Sequence, residues 1–415
     1  MFSRRSFLTS TIGGALSFAL AQHNLLALAQ AAERKPKKSC ILLWMNGGPS
    51  QIDTVDPKTG TASGGSFKAI KTKARGVEFC EHLPLLAEQA DKLAVVRSMT
   101  SKEGNHDRGQ YLMHTGYAPS VTVKHPSLGA WVSHELGDAN FELPNFVSIR
   151  GPSFGAGFLG TAHNPFVVQH PTEGVRNLPL PKDVNSDRFD QRLRGLSIVE
   201  GAFAKSSGSQ SVAAPTTVRG KAVRLMTSEL TKAFELKDET EATKKLYGDS
   251  DFGRGCLMAR RLIETGVPFV EVTLDGWDTH VDNFTGVRKL CQELDPAMSG
   301  LLRDLTDRKL LDDTLVIWMG EFGRTPKITA VDGRDHHPAA WSAMLAGSNV
   351  AAGQAYGSTG ADGAKVAKNP VTVPDFFATV ATLLGIDPAR ELMSPIGRPI
   401  SISESGKPVA ELLRK

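Results

Sequence analysis

Two short segments of the chain combine residue types that bind metal ions. Asp278 and His280 are separated by one residue, and Asp335, His336 and His337 are consecutive. A carboxylate oxygen and an imidazole nitrogen together suit zinc, manganese or iron. The other interpretation is a helix start capped by Asp278 and a solvated polar loop around 335–337. We interpret the residues as ligands of a divalent metal, and of the two adjacent histidines we expect His336 to point inward.

A third polar segment surrounds Glu321, which lies in a glycine turn at the end of an apolar run. Its carboxylate is expected to face the same cleft, as a further metal ligand or as a hydrogen-bond partner of one. Arg324 follows three residues later. One interpretation of this arginine is a local salt bridge. The other is an anion clamp, because a guanidinium binds phosphate or sulfate through two parallel hydrogen bonds.

The segment Asn105-His106-Asp107-Arg108 is expected to start a helix, with Asn105 as its N-cap. The N-terminus of a helix favours an anion. His106 would then act as a general acid or base on a substrate bound there.

Gly47-Gly48-Pro49-Ser50 predicts a tight turn beside the site. The segment lacks the spaced glycine and the lysine of a phosphate-binding P-loop. Asp53 and Asp56 come shortly after the turn and are further candidates for metal binding.

These polar segments lie next to short apolar runs, which are bounded by Gly, Pro, Asn or Asp, as is typical of buried strands. Apolar spacings of three and four between the runs predict helices. The alternation predicts an α/β fold with a doubly wound, mostly parallel sheet covered by helices on both faces. Ligands bind beyond the carboxyl ends of such strands, so the polar segments should meet at one edge. The predicted strands are Cys40–Met45, Leu93–Arg97, Phe146–Ile149, Pro268–Leu274, Thr314–Met319 and Ser342–Ala346, and the predicted helices are Arg108–His114, Leu128–Leu136, Gly255–Glu264, Val287–Arg308 and Pro374–Leu384.

The N-terminus has the features of an export signal. Arg4 and Arg5 precede an apolar run, Leu8–Leu20, and the small residues up to Ala31 resemble a cleavage site. This order is typical of a twin-arginine signal peptide over residues 1–31 and not of a spanning helix. We therefore expect export by the Tat translocon to the periplasm, the cell envelope or the exterior. The alternative is an amphipathic helix of the mature chain.

Residues 38–415 are expected to form one α/β domain, with the loop-rich stretch 150–250 as an insertion or cap. The net charge is +4 at pH 7, and the signal peptide carries two of these charges, so the composition does not indicate a nucleic-acid partner. No later segment is long and apolar enough to cross a membrane. The four cysteines lack C-x-x-C spacing, so we expect most of them to be buried small apolar side chains.

Five motifs in this order resemble a family of Tat-exported bacterial proteins known only as domain-of-unknown-function family 1501. The resemblance covers nearly all of the chain after the signal peptide. The motifs are Gly47-Gly48-Pro49-Ser50-Gln51-Ile52-Asp53, His106-Asp107-Arg108, Gly276-Trp277-Asp278-Thr279-His280, Gly320-Glu321-Phe322-Gly323-Arg324-Thr325-Pro326 and Gly333-Arg334-Asp335-His336.

More distantly, the layout is similar to the alkaline phosphatase and sulfatase superfamily. That resemblance implies an alkaline-phosphatase-like sheet with Asp and His metal ligands at strand ends. Asp278 and His280 resemble the ligands of one metal site there, and His336 resembles the last ligand histidine. The chain departs from the pattern where Asn46 replaces the first ligand Asp and where Glu321-Phe322 replaces Asp-His.

A further departure concerns the nucleophile, because no Ser, Thr or Cys adjoins His106. The resemblance implies a metal-dependent hydrolase of phosphate or sulfate esters that uses metal-activated water. Fold similarity does not transfer activity, so two alternatives stay open. One is a non-catalytic scaffold that binds an anionic glycan or a protein partner, and the other is a structural component stabilised by its metal.

Overall fold

The computed structural model describes residues 38–414 except 177, 179, 181–182 and 208–212. The predicted signal peptide, residues 1–31, lies outside the described residues. None of the helices in the described part of the chain combines the length and the apolar composition that a membrane span requires.

Nine strands of the described chain form one sheet. The strands are β1 (Ser39–Asn46), β2 (Leu93–Thr100), β3 (Phe146–Ile149), β4 (Phe166–Val168), β5 (Phe269–Asp275), β6 (Thr314–Met319), β7 (Trp341–Ala346), β8 (Gln354–Tyr356) and β9 (Val371–Thr372). Their order in the sheet is β8-β2-β7-β6-β1-β5-β3-β4, with β9 also paired to β2. The central strand β1 is parallel to both neighbours, whereas β7 is antiparallel to both of its neighbours. The sheet is therefore mostly parallel, as the sequence predicts.

Helices cover both faces of this sheet. Alternate residues of β1 point to opposite sides, where Ile41 and Leu43 pack in one apolar core and Leu42 and Trp44 pack in the other. The longer helices are α1 (His106–Thr115), α2 (Leu128–Glu135), α3 (Ser186–Ser207), α4 (Ala213–Thr227), α5 (Asp251–Thr265), α6 (Asn283–Asp307) and α7 (Val373–Leu383), and the shorter ones are Pro84–Ala87 and Glu241–Leu246. Helices α5 and α6 belong to the first core, and α1, α2 and α7 belong to the second.

All six predicted strands and all five predicted helices are present, with ends that differ by a few residues. The strands of the main sheet that the sequence does not predict, β4, β8 and β9, are two or three residues long, which is too short for a periodic pattern. The stretch 150–250 contributes the outermost strand β4 and the helices α3 and α4. The four cysteines are buried and unpaired.

Candidate metal centre

The polar segments of the predicted site lie at one edge of the sheet. Asp278 and His280 follow the carboxyl end of β5, and Glu321 follows that of the parallel strand β6. His336 precedes β7, which is antiparallel, so the start of β7 lies at this same edge. His106 begins α1 shortly after β2.

Four side chains converge at this edge. One ligand atom from each of His106, Asp278, His280 and His336 lies within 4.8 Å of all the others. The Nε2 atoms of His106, His280 and His336 lie 3.3, 3.0 and 3.3 Å from the same oxygen, Asp278 Oδ1. Three imidazole nitrogens and one carboxylate oxygen around a common point are a donor set that suits zinc, manganese or iron.

A buried carboxylate orients the first of these histidines. The Nδ1 atom of His106 lies 2.7 Å from Glu321 Oε1. The Glu321 side chain is fully buried and also accepts a hydrogen bond from the backbone N–H of Gly47, at 3.0 Å. The hydrogen bond to Glu321 raises the pKa of His106, although partial burial opposes that shift. Glu321 holds the Nδ1 side of the His106 ring, so Nε2 is the ring nitrogen that faces the other ligands.

The other two histidines have the same arrangement. His280 Nδ1 lies 3.2 Å from Asp335 Oδ1, and His336 Nδ1 lies 2.8 Å from the carbonyl oxygen of Gly104. Hydrogen bonding of the distal ring nitrogen to a carboxylate or carbonyl fixes the tautomer of metal-binding histidines. The buried Nε2 atom of His106 has no hydrogen-bond partner among the described residues. Such an orphaned nitrogen fits a site whose missing partner is a cation.

Of the two interpretations of Arg324, the structure favours a salt bridge, but its partner is Asp278, 46 residues away in the chain, and not a neighbour in the sequence. The side chain is fully buried, and its N–H groups are directed at Asp278 Oδ1 (2.5 Å) and at the carbonyl oxygens of Gly47, Gly48 (3.0 Å) and Arg334 (3.2 Å). Four of the five guanidinium N–H groups are thus engaged within the protein, and the side chain is closed to solvent. Arg324 therefore positions the carboxylate of Asp278.

The surroundings of Asp278 keep it ionised. Desolvation opposes its ionisation, but the hydrogen bond from Arg324 and the nearby positive charges lower the pKa of Asp278 to about 2. An ionised carboxylate is the form that binds a metal.

The structure does not bring Asp53 and Asp56 into the cluster. Asp53 is buried and accepts two hydrogen bonds from Arg334, at 2.6 and 2.9 Å. Asp56 lies 2.9 Å from Lys58 Nζ. Asp53 instead fixes the segment that carries His336, because Arg334 lies two residues before that histidine. His337 points elsewhere, with Nε2 2.7 Å from the Ala364 carbonyl oxygen.

Glycine is required at the predicted tight turn. The φ angle of Gly47 is 112°, and a Cβ atom there would lie 2.4 Å from the backbone nitrogen of Asp278. The absence of a side chain lets the turn after β1 approach the Asp278 segment, so that Gly47 can donate to Glu321.

The fold and the site define an α/β protein with a His₃Asp cluster at the carboxyl edge of its sheet. The chain belongs to the family described as protein of unknown function (DUF1501), whose model matches residues 37–413. This membership confirms the family resemblance of the five motifs. No curated protein sequence matches the chain.

The chain is also similar to solved structures. They include PsFucS1 sulfatase from Pseudoalteromonas sp., with 14% identity, coverage of 89% of this chain and 71% of that chain, and a TM-score of 0.41. A protein in the alkaline phosphatase superfamily from Vibrio parahaemolyticus has 11% identity, coverage of 91% of this chain and 72% of that chain, and a TM-score of 0.42. Ps i-CgsB in complex with k-i-k-neocarrahexaose has 13% identity, coverage of 85% and 72%, and a TM-score of 0.41. Similarities below a TM-score of 0.5 carry no information on what this chain does.

Proposed function

We propose that this chain is a metal-dependent hydrolase of phosphate or sulfate esters that works in the cell envelope after Tat export. The observation that carries the proposal is the convergence of three histidine Nε2 atoms on Asp278 Oδ1, with every Nδ1 engaged by an acceptor. A purely structural polar cluster has no need to bring three imidazole nitrogens to one carboxylate oxygen.

In this proposal His106, Asp278, His280 and His336 bind one divalent ion of zinc, manganese or iron. Such an ion polarises an ester oxygen as a Lewis acid and lowers the pKa of coordinated water towards about 7. The proposal makes His106 a ligand instead of the general acid or base expected from the sequence. Both of its ring nitrogens are engaged, one with Glu321 and one in the cluster.

Three further side chains position these ligands in the proposal. Glu321 and Asp335 orient histidine rings, and Arg324 orients Asp278. Loss of such partners typically lowers metal affinity by about 10–100-fold. The substrate anion would be held by the metal and by the N-terminus of α1, which starts at His106 and carries a partial positive charge.

A second candidate function is a non-catalytic scaffold that binds an anionic glycan or a protein partner. The hydroxyl groups near the cluster favour this function. The hydroxyl of Thr279 donates to Asn283 Oδ1 at 2.6 Å, and that of Thr325 donates to the Lys327 carbonyl at 3.0 Å. Neither hydroxyl is poised as a nucleophile. A hydrolase built on this site must therefore use water as its nucleophile. A binding protein needs neither a nucleophilic hydroxyl nor an activated water.

A chromogenic ester screen separates the two functions. The purified mature chain would be reconstituted with zinc, manganese or iron and assayed with p-nitrophenyl phosphate, bis-p-nitrophenyl phosphate and p-nitrophenyl sulfate. The hydrolase predicts turnover of at least one ester, abolished in His280→Ala and retained in His170→Ala, whose histidine is exposed and lies outside the cluster. Metal-loaded protein that turns over none of the esters would contradict the hydrolase and favour the scaffold.

A further inference from the structure

A cavity of about 480 Å³ lies away from the metal centre. Its lining includes residues 141–145, which precede β3, and Phe166, which begins β4. Because β3 and β4 are parallel to β5, the starts of these strands lie at the edge of the sheet opposite to the metal centre. The remaining walls come from residues 161–165, from Val175, Arg176 and Leu178, and from the end of α4. This cavity is therefore a separate site.

The walls of the cavity are mainly apolar. They include Phe141, Leu143, Pro144, Phe166, Leu225 and Met226. The volume falls within the range of about 300–1,000 Å³ that is usual for small-molecule sites, whose linings are apolar with a few polar groups. The cavity is thus suited to the apolar body of a small molecule.

One cation lines this cavity without a carboxylate partner. Lys221 Nζ donates to the carbonyl oxygen of Ala162 at 2.7 Å, and it forms no salt bridge with any acidic side chain in the described parts of the chain. Partial burial, and then the charge of Arg224, lowers the pKa of Lys221. A half-buried ammonium group with two unused N–H donors attracts an anion into the apolar cavity.

The other charged side chains of the lining already have partners. Arg176 Nε donates to Glu173 at 2.6 Å, and the Ser228 hydroxyl donates to Glu142, which is exposed at the rim. Of the two cations in the lining, Lys221 is therefore the one without a carboxylate partner, while Glu142 keeps its charge at the rim. Its single positive charge matches a single anionic group.

We propose that this cavity binds a small apolar molecule that carries one anionic group, with the anion on Lys221 and the apolar body against Phe141, Phe166 and Leu225. An aliphatic or aromatic monocarboxylate has this chemistry. The site is independent of the metal centre, and it holds a ligand whether or not the chain hydrolyses esters.

Isothermal titration of the mature chain with dodecanoate, below its micelle concentration, tests the proposal, with dodecanol as a neutral probe of equal length. Dodecanoate is expected to bind once per chain and at least tenfold more tightly than dodecanol. Lys221→Met is expected to weaken dodecanoate binding about tenfold and to leave dodecanol binding unchanged, because it removes only the charge. Lys232→Met, at an exposed lysine paired with Glu229, is the matched control.

A second variant keeps the test independent of Lys221. Ala222 is exposed and lines the cavity, so Ala222→Trp would fill the space without disturbing the core. The variant should lose dodecanoate binding, and its circular dichroism spectrum should be unchanged. His280→Ala should retain full binding. The proposal is overturned if dodecanoate does not bind saturably, if Ala222→Trp leaves its binding unchanged, if dodecanol binds as tightly, or if His280→Ala abolishes binding.

Discussion

The Nε2 atoms of His280 and His336 lie 2.9 Å apart. The Nδ1 atom of each ring faces an acceptor, Asp335 Oδ1 for His280 and the Gly104 carbonyl oxygen for His336, so the Nε2 atoms are the ring nitrogens that point into the cluster. A divalent ion coordinated by both Nε2 atoms would replace their direct contact, so the pair is positioned for metal binding.

Glu321→Gln should weaken metal binding by about tenfold or more, because the charge that holds the His106 ring is removed. The substitution is nearly isosteric, and the amide oxygen can still accept from His106 and Gly47, so the fold should be retained. Competition with a chromogenic chelator measures the affinity. Glu88→Gln, at an exposed glutamate, is the control. Equal affinities in both variants would show that Glu321 has no part in orienting the ligand.

Arg324→Met should lower the free energy of unfolding by about 3 kcal/mol, because it leaves Asp278 and two glycine carbonyls without their buried donor. Urea denaturation of metal-free protein measures this loss. If Arg324 instead grips the substrate, the variant will unfold like the wild type and will show only weaker binding of inorganic phosphate or sulfate.

Gly47→Ala should destabilise the chain by more than about 2 kcal/mol, since the new methyl group meets the backbone of Asp278 and the residue must keep a positive φ angle. Gly76→Ala is a matched control, because Gly76 has a φ angle of 76° and open space where a Cβ atom would lie. That control should lose only about 1 kcal/mol. Equal losses in the two variants would rule out the close approach of the Gly47 turn to Asp278.

The carboxyl group of Asp295 should contribute a loss of stability as the pH rises from about 4 to 6. Burial raises the pKa of Asp295 to about 6, although the backbone N–H groups of Leu85 and Leu86 donate to its carboxylate. In this window the native state holds a proton that the unfolded state has released, so each increase in pH favours unfolding. After discounting for partial hydration, the loss is about 2 kcal/mol.

Chemical denaturation at several pH values measures this slope. Asp295→Asn should flatten it, whereas Asp249→Asn, at an exposed aspartate, should leave it as in the wild type. A slope that persists in Asp295→Asn would assign the pH dependence to another group.

The sequence predicts the sheet well because its buried strands are continuous apolar runs, and β3 and β6 match their predicted bounds. It also places Asp278, His280 and His336 at one edge, because residues beyond parallel strand ends meet there. The segment before β7, which carries His336, reaches this edge only because β7 runs antiparallel to its neighbours. The apolar pattern of a strand does not show in which direction the strand runs.

The roles of single side chains were harder to predict. Arg324 and Asp53 each pair with residues far away in the chain, Arg324 with Asp278 and Asp53 with Arg334. Local spacing contains no signal for such pairing, so an internal guanidinium was indistinguishable from an anion clamp. The carbonyl of Gly104, which orients His336, belongs to the backbone and leaves no mark in the residue types.

Metal analysis tests the central claim most directly. The mature chain, purified without chelator and reconstituted with zinc, manganese or iron, would be compared by elemental analysis with the double variant Asp278→Ala, His280→Ala. The single four-residue cluster found in the described chain predicts about one equivalent of metal, which the double variant should lose. A wild-type chain that takes up no metal even after reconstitution, or a double variant that keeps the full equivalent, would contradict the metal centre.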